Sequence, residues 1–345
     1  PRPGNQLVLM HDRREMFGFC LDRAINVSLE KITLQHAGAM GIIAQHCENI
    51  LLEYVEVIPN ASRNRVFSTY ADATHFTCCS GKIELSHCRF EGMMDDPLNV
   101  HGIYAPVAAV HDDSHLEVGT GHYQQAGICP VAPGRAVIIS GETLLPRGEV
   151  DIAQVDVINS GRWHVTLAGP LPCALQPGDC LESLVWCPDV RVTHCRMGRN
   201  RARGPLLSTA GRIRVEHNTF HHAGTAIKLS GDANSWFESG SVRDVLIRDN
   251  IFNDCGYGPW GRGIIAIDPE IEPAGFREEK FHRNIRIEGN DFHTFHRELL
   301  VARCTETLTF TGNNVAFTHA YPVPNAHGEC YRIENCSDLD LQSIT

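Results

Sequence analysis

Six segments of this chain repeat one pattern: "KIELSHCRF" (82–90), "VRVTHCRM" (190–197), "RIRVEHNTF" (212–220), "DVLIRDNIF" (244–252), "NIRIEGNDF" (284–292) and "TLTFTGNNV" (307–315). Each alternates apolar and polar residues with period two, the mark of a strand with one buried face. Each then reaches Cys or Asn, and after it a large apolar residue. "INVSLEKITL" (25–34) and "NILLEYVEV" (49–57) are earlier, looser copies. The aligned positions Cys88, Cys195, Asn218, Asn250, Asn290 and Asn313 are separated by 107, 23, 32, 40 and 23 residues. A spacing near 23 with occasional insertions is what stacked coils give, each coil being two or three short parallel strands. The repeat therefore predicts an all-β chain, a right-handed parallel β-helix whose hand follows the rule for parallel crossovers. The asparagines then stack into an internal ladder that satisfies the backbone at each turn. This ladder is structural.

The gap of 107 is the irregularity. Residues 103–187 carry no ladder motif, but "RAVIISG", "EVDIAQVDVI" and "RWHVTLAGPL" read as hairpin strands broken by Gly and Pro. Without those 85 residues the gap falls to 22, close to one coil. A small, barrel-like β domain over 103–187 is thus expected between a first part of the helix (1–102) and a second (188–345), leaving the helix directly after "DDPLNVHG".

Composition narrows the partners. A formal charge of −11 repels nucleic acid and polyanionic substrates and is easier to reconcile with a neutral sugar. No run approaches the roughly 18–20 apolar residues of a membrane span. The chain starts at Pro1 without a leader, so it reads as a segment of a longer precursor. Fourteen cysteines without a small-domain spacing do not form a disulfide framework. His46-Cys47, His87-Cys88 and His194-Cys195 lack the CxxC spacing of a zinc site, which leaves buried structural thiols. No cofactor is called for, and a homo-oligomer is compatible with the sequence.

Each coil also carries a strand upstream of the ladder strand. Aligning "TYADATHFTC" (69–78), "MMDDPLNVHG" (93–102) and "RARGPLLSTA" (201–210) makes Asp72 and Asp96 equivalent, 24 residues apart. Stacked strands lie about 4.8 Å apart, so both carboxylates should share one rim. Asp95 lies one residue earlier, at the bend, and this alignment sets Arg203 at the position equivalent to Asp95. Like charges that close raise at least one pKa, an arrangement usually kept for chemistry. Glycoside cleavage uses such a set, one protonated acid and one ionised partner. A calcium site would want more carboxylates or carbonyl-rich loops.

"ADATHF" (71–76), "MMDDPLNVHGIY" (93–104), "NRARG" (200–204) and "GDANSWFESG" (231–240) together resemble glycoside hydrolase family 110, from about residue 20 to 315. These are exo-acting α-1,3-galactosidases that remove terminal galactose, including that of blood group B antigens. The resemblance implies a right-handed β-helix with a barrel insertion and an inverting, metal-free mechanism on terminal α-galactoside glycans. It implies Asp95 as general acid, with Asp72 and Asp96 sharing the base role and holding the water. It also implies export, by a signal outside this segment. Pro97 departs from the small residue expected there but removes no catalytic group.

Around these acids, Asn99 and His101 alternate with Leu98 and Val100 and so share one face, toward the sugar, where His101 could equally support the insert junction. His75, three residues past Asp72, could face either way. Among Arg199, Arg201 and Arg203, the last is placed best to touch substrate or tune the acid. Trp236 could stack on galactose or pack its loop, and Glu238 could accept hydroxyl protons. Trp260 and Asp268 of the following coil are weaker candidates. Two rival readings remain: a β-helix polysaccharide hydrolase or lyase of the pectin type, which would want basic residues, and a non-catalytic carbohydrate-binding β-helix, which has no reason to stack acids.

Overall fold

The computed structural model describes residues 3, 14–259, 261–322 and 328–344. Three parallel sheets run along one axis, and every coil but the last contributes one strand to each sheet among the described residues. The first has the order Phe19–Asp22, Ile42–Gln45, Thr74–Thr77, Leu98–Ile103, Leu206–Ser208, Ile227–Leu229, Ile265–Ile267, Leu300–Arg303 and Tyr331–Glu334. The second runs in nine strands from Ile25–Glu30 to Ser337–Leu341 and holds the alternating part of all six repeat segments and both looser copies, whose last residues turn into the third. The third has eight strands, from Thr33–Leu34 to Asn314–Phe317. The chain is a parallel β-helix.

The ladder is continuous. Asn218 Oδ1 accepts from the Cys195 N–H at 2.8 Å, Asn250 Oδ1 from Asn218 N–H at 2.9 Å, and Asn290 Oδ1 from Asn250 N–H at 3.0 Å. Asn313 Oδ1 takes the Asn290 N–H at 2.9 Å, and Gln342 closes the series on Asn313 at 2.8 Å. At the other end thiols replace amides, Cys195 Sγ accepting from Cys88 N–H at 3.4 Å. Residues just before the ladder position, including His87, His194, His217, Asp249, Gly289 and Gly312, have φ between 55° and 66°. This left-handed residue turns the chain from one sheet to the next, and His, Asp and Gly tolerate it better than β-branched residues. The His-Cys pairs are therefore corners of the coil, and all fourteen cysteines are free thiols.

Inward positions stack by residue type. Phe220, Phe252, Phe292 and Phe310 form a column with ring centroids 5.2, 4.7 and 5.5 Å apart. Ile, Leu and Val fill the other columns of one long core. Across the gap of 107, Ile83 pairs with Val190 and Leu85 with Val192 as neighbours in one sheet. The intervening chain leaves the stack as six antiparallel strands, Ala105–Val110 through Cys180–Ser183, closed into a barrel around Trp163, Leu116 and Ile138. Among the described residues no helix is long and apolar enough to cross a membrane.

Candidate active site

The barrel leaves from Leu98–Ile103, and that strand positions the acids. Leu98 pairs with Thr74 and Asn99 with His75, a register that sets Asp96 level with Asp72. Leu98 and Val100 point into the core, while Asn99 and His101 lie on the outer face and are buried there. Their cover is Glu238–Ser239, which pairs antiparallel with Gly102 and Ile103. One oxygen from each of Asp72, Asp95 and Asp96 lies within 4.8 Å of the others. The roughly 6–9 Å between carboxyl groups that suits an inverting pair is wider than this spacing between their nearest oxygens.

The Arg203 expectation needs correcting. Matching Pro205 to Pro97 places Arg203 opposite Asp95, but Leu206 pairs with Asn99 and Leu207 with Val100. The slip of one residue would turn fully buried Leu207 out of the core, so packing decides the register. Arg203 therefore meets Asp96, through Nε at 3.1 Å and Nη2 at 2.9 Å on the same oxygen. The cation on Asp95 is Arg14, 2.7 Å away. Asn200 ties the bend, its Nδ2 donating to the Asp95 carbonyl at 2.9 Å while its Oδ1 meets His222 Nδ1 at 2.8 Å. Arg201 donates to the Met94 carbonyl, and Arg199 lies 3.9 Å from Glu91.

The outer face forms a chain of polar contacts. Asp72 Oδ1 accepts from the Asp96 N–H at 3.1 Å, and Asp72 Oδ2 is 2.7 Å from His75 Nδ1. His75 Nε2 is 3.0 Å from His101 Nε2, which is 3.7 Å from Glu238 Oε1. Asn99 Nδ2 donates to Glu238 at 3.1 Å, while its buried Oδ1 has no partner among the described residues. Trp236 lies apart: its ring, 46% exposed, rests on His122 of the barrel at 4.3 Å, and its carbonyl accepts from Gln125. Asp268 pairs with Arg303 at 3.0 Å, and Trp260 lies outside the described residues.

Burial, with Asp95 close by, holds the Asp72 carboxyl well above the usual range. Burial also lifts Asp96 to about 7; the Arg203 guanidinium pulls it down, and Asp72 and Asp95 push it up. Burial lowers His75 and His101, favouring neutral imidazoles. Asp95 is the acid that solvent reaches, its side chain 22% exposed against 8% for Asp72 and 2% for Asp96. Three clustered acids could also ligate a divalent cation, but Arg14 and Arg203 already occupy two of them. A set holding protons on some carboxyls and charge on others can protonate a leaving group and activate water.

Residues 115–181 match the family model described as GLAA-B beta-barrel domain II. The whole chain aligns with curated proteins. It is 34% identical to Alpha-1,3-galactosidase B of Bacteroides thetaiotaomicron over 99% of this chain and 56% of that one. It is 37% identical to Alpha-1,3-galactosidase A of Shewanella woodyi over 99% and 56% of the two chains. With Alpha-1,3-galactosidase B of Akkermansia muciniphila the identity is 35% over 93% and 41%. The chain thus spans about half the length of the curated relatives it matches. The solved A-module of an Azotobacter vinelandii mannuronan C-5 epimerase covers 93% of this chain and 59% of that one, with TM-score 0.43 and 10% identity.

Proposed function

Along 99% of its length this chain is homologous to proteins named α-1,3-galactosidases, and from that premise we propose that it is an exo-acting glycoside hydrolase releasing terminal α-1,3-linked galactose. The substrates would be blood group B or linear α-1,3-galactosides. The observation that carries this reading is the convergence of Asp72, Asp95 and Asp96 at one rim. Asn99 Oδ1, a buried acceptor without a donor, is suited to a sugar hydroxyl there. In the same reading, 103–187 is an inserted domain between helix parts 1–102 and 188–345. Its residues His122 and Gln125 hold Trp236 in the loop that leads into Glu238.

The roles are those the family resemblance implies, and the surroundings of each acid bear on them. Asp95, at the open side of the cluster, protonates the departing glycosidic oxygen. Asp96 has its oxygens engaged by Arg203, and Asp72 has one oxygen on the Asp96 N–H and the other at His75. Carboxylates so tied are better suited to orienting and deprotonating a water than to attacking carbon, which supports inversion. The closeness of the three acids, with oxygens within 4.8 Å, favours a second reading in which one of them attacks C1 and configuration is retained. Glu238, Asn99 and Arg203 bind the sugar. The test is galactose release from an α-1,3-linked digalactoside beside an α-1,4-linked one. Release from the first alone supports the proposal, and equal or absent release overturns it.

A further inference from the structure

His75 and His101 face each other through Nε2 atoms 3.0 Å apart, and their outer nitrogens fix where protons can sit. The Gly102 carbonyl can only accept, so His101 Nδ1, at 2.6 Å, carries a hydrogen. A neutral His101 then offers a bare Nε2, and His75 must donate to it from its own Nε2. A neutral His75 consequently turns a bare Nδ1 toward Asp72 Oδ2, 2.7 Å away. Two acceptors at that distance repel unless a proton lies between them. With Asp72 ionised and the proton on His75 Nδ1 alone, the two bare Nε2 atoms would clash instead. Every satisfied arrangement of the three groups holds one proton between Asp72 Oδ2 and His75 Nδ1.

We propose that His75 and His101 are a proton-holding pair behind Asp72, so that Asp72 becomes a base only by passing its proton across this bond to His75. The inference rests on the hydrolase reading for its kinetic meaning, though not for its proton count. In the resting state Asp72 is a carboxylic acid and both imidazoles are neutral. When the O–H electron pair returns to Asp72 and the proton forms an N–H bond at His75 Nδ1, the products are a carboxylate and an imidazolium, with no net change in charge. The carboxylate then takes a proton from the attacking water, whose oxygen bonds to the sugar carbon. The surplus proton stays on the His75 imidazolium, whose Nε2–H remains on His101 Nε2, with Glu238 Oε1 3.7 Å beyond to balance the charge. The resting state returns when Asp72 passes the proton taken from water to Asp95, which gave its own to the leaving oxygen, and recovers its first proton from His75 Nδ1. Asp72, Glu238 and the Thr77 hydroxyl, 3.3 Å from His101, surround the pair directly. Asp95 and Asp96, with Arg14 and Arg203, lie beyond Asp72. His75 and His101 are thus positioning residues, acting through Asp72.

Two measurements test this. In the protein with 15N-labelled histidine, His101 should appear as the Nδ1–H tautomer and His75 should carry hydrogen on Nε2. A neutral His75 protonated on Nδ1 alone overturns the proposal, whether or not any galactoside is cleaved. In His75→Gln the amide can donate to Asp72 but cannot take its proton. The limb of kcat/KM that rises with pH should then move up by about two units, with about a 100-fold loss at pH 6 that shrinks toward pH 9. A loss equal at all pH values would make His75 merely structural and overturn the relay. Absence of activity in the wild type would count against the hydrolase reading, and the tautomers would still decide the proton pair.

Discussion

Replacing Arg203 with methionine removes the only cation on Asp96 among the described contacts and keeps most of the side-chain length. Asp96 is almost fully buried, and burial lifts its carboxyl from an ordinary value of about 3.9 to about 7 even with the guanidinium in place. Because the folded value is the higher one, the stability this group contributes is complete below pH 4 and is lost as the pH rises through 7. Above 7 the native wild type is ionised and loses no more. Without Arg203 the carboxyl stays protonated further up the scale, so the loss continues at about 1.4 kcal/mol per pH unit. Below pH 6 the proton is already present and the variant should differ from wild type only by a constant packing cost. The destabilisation of Arg203→Met should therefore be flat from pH 5 to 6, turn upward near 7, and grow by roughly 3 kcal/mol by pH 9. Guanidinium denaturation at fixed pH values, followed by circular dichroism, gives this curve. A difference that opens between pH 4 and 6 and then levels off would mean that Asp96 is an ordinary ionised partner of Arg203, and the proton count of the site would be wrong.

Other consequences concern the acids and the ladder. Asp95→Asn should abolish cleavage of natural galactosides yet recover part of its rate on an activated aryl galactoside, which leaves without protonation. Asp72→Asn and Asp96→Asn should show no such recovery, but added azide should restore turnover in them, and their losses should be non-additive; equal rescue of all three by the aryl substrate would reverse the acid and base assignments. Asn218→Ala leaves the Cys195 N–H buried without its partner and takes a second donor from the Val192 carbonyl, which should cost about 1–3 kcal/mol in denaturant midpoint measurements. Trp236→Ala should raise KM while leaving the fold intact, and unchanged kinetics would confine Trp236 to packing on His122.

The coil was legible because it repeats. A period-two pattern ending in Cys or Asn can be aligned with itself, and the same alignment exposes the excursion after Gly102. The last ladder strand, Ser337–Leu341, was missed because Gln342 replaces asparagine at its end. Within the site, Asp72 and Asp96 could be stacked by counting residues, since their strands share one spacing. Arg203 was placed one residue off because the prolines made a better sequence match than the leucines, while packing follows the leucines. Arg14 left no signal at all: its contact with Asp95 depends on how the chain enters the first coil. Asn200 lay beside a noted arginine run, but a bond to a main-chain carbonyl has no signature in side-chain pattern. The proton order along Asp72, His75 and His101 needs distances, which spacing alone does not supply.

The proposed hydrolysis of an α-1,3-galactoside uses a water held at Asp72 and Asp96. Proton NMR of the galactose first released from an α-1,3-linked digalactoside tests this directly. Attack by water opposite the leaving group places β-galactose in the earliest spectra, with the α-anomer growing in later by mutarotation. α-Galactose at the outset would mean a covalent intermediate on one of the three crowded acids and would contradict the assignment of Asp72 and Asp96 as bases.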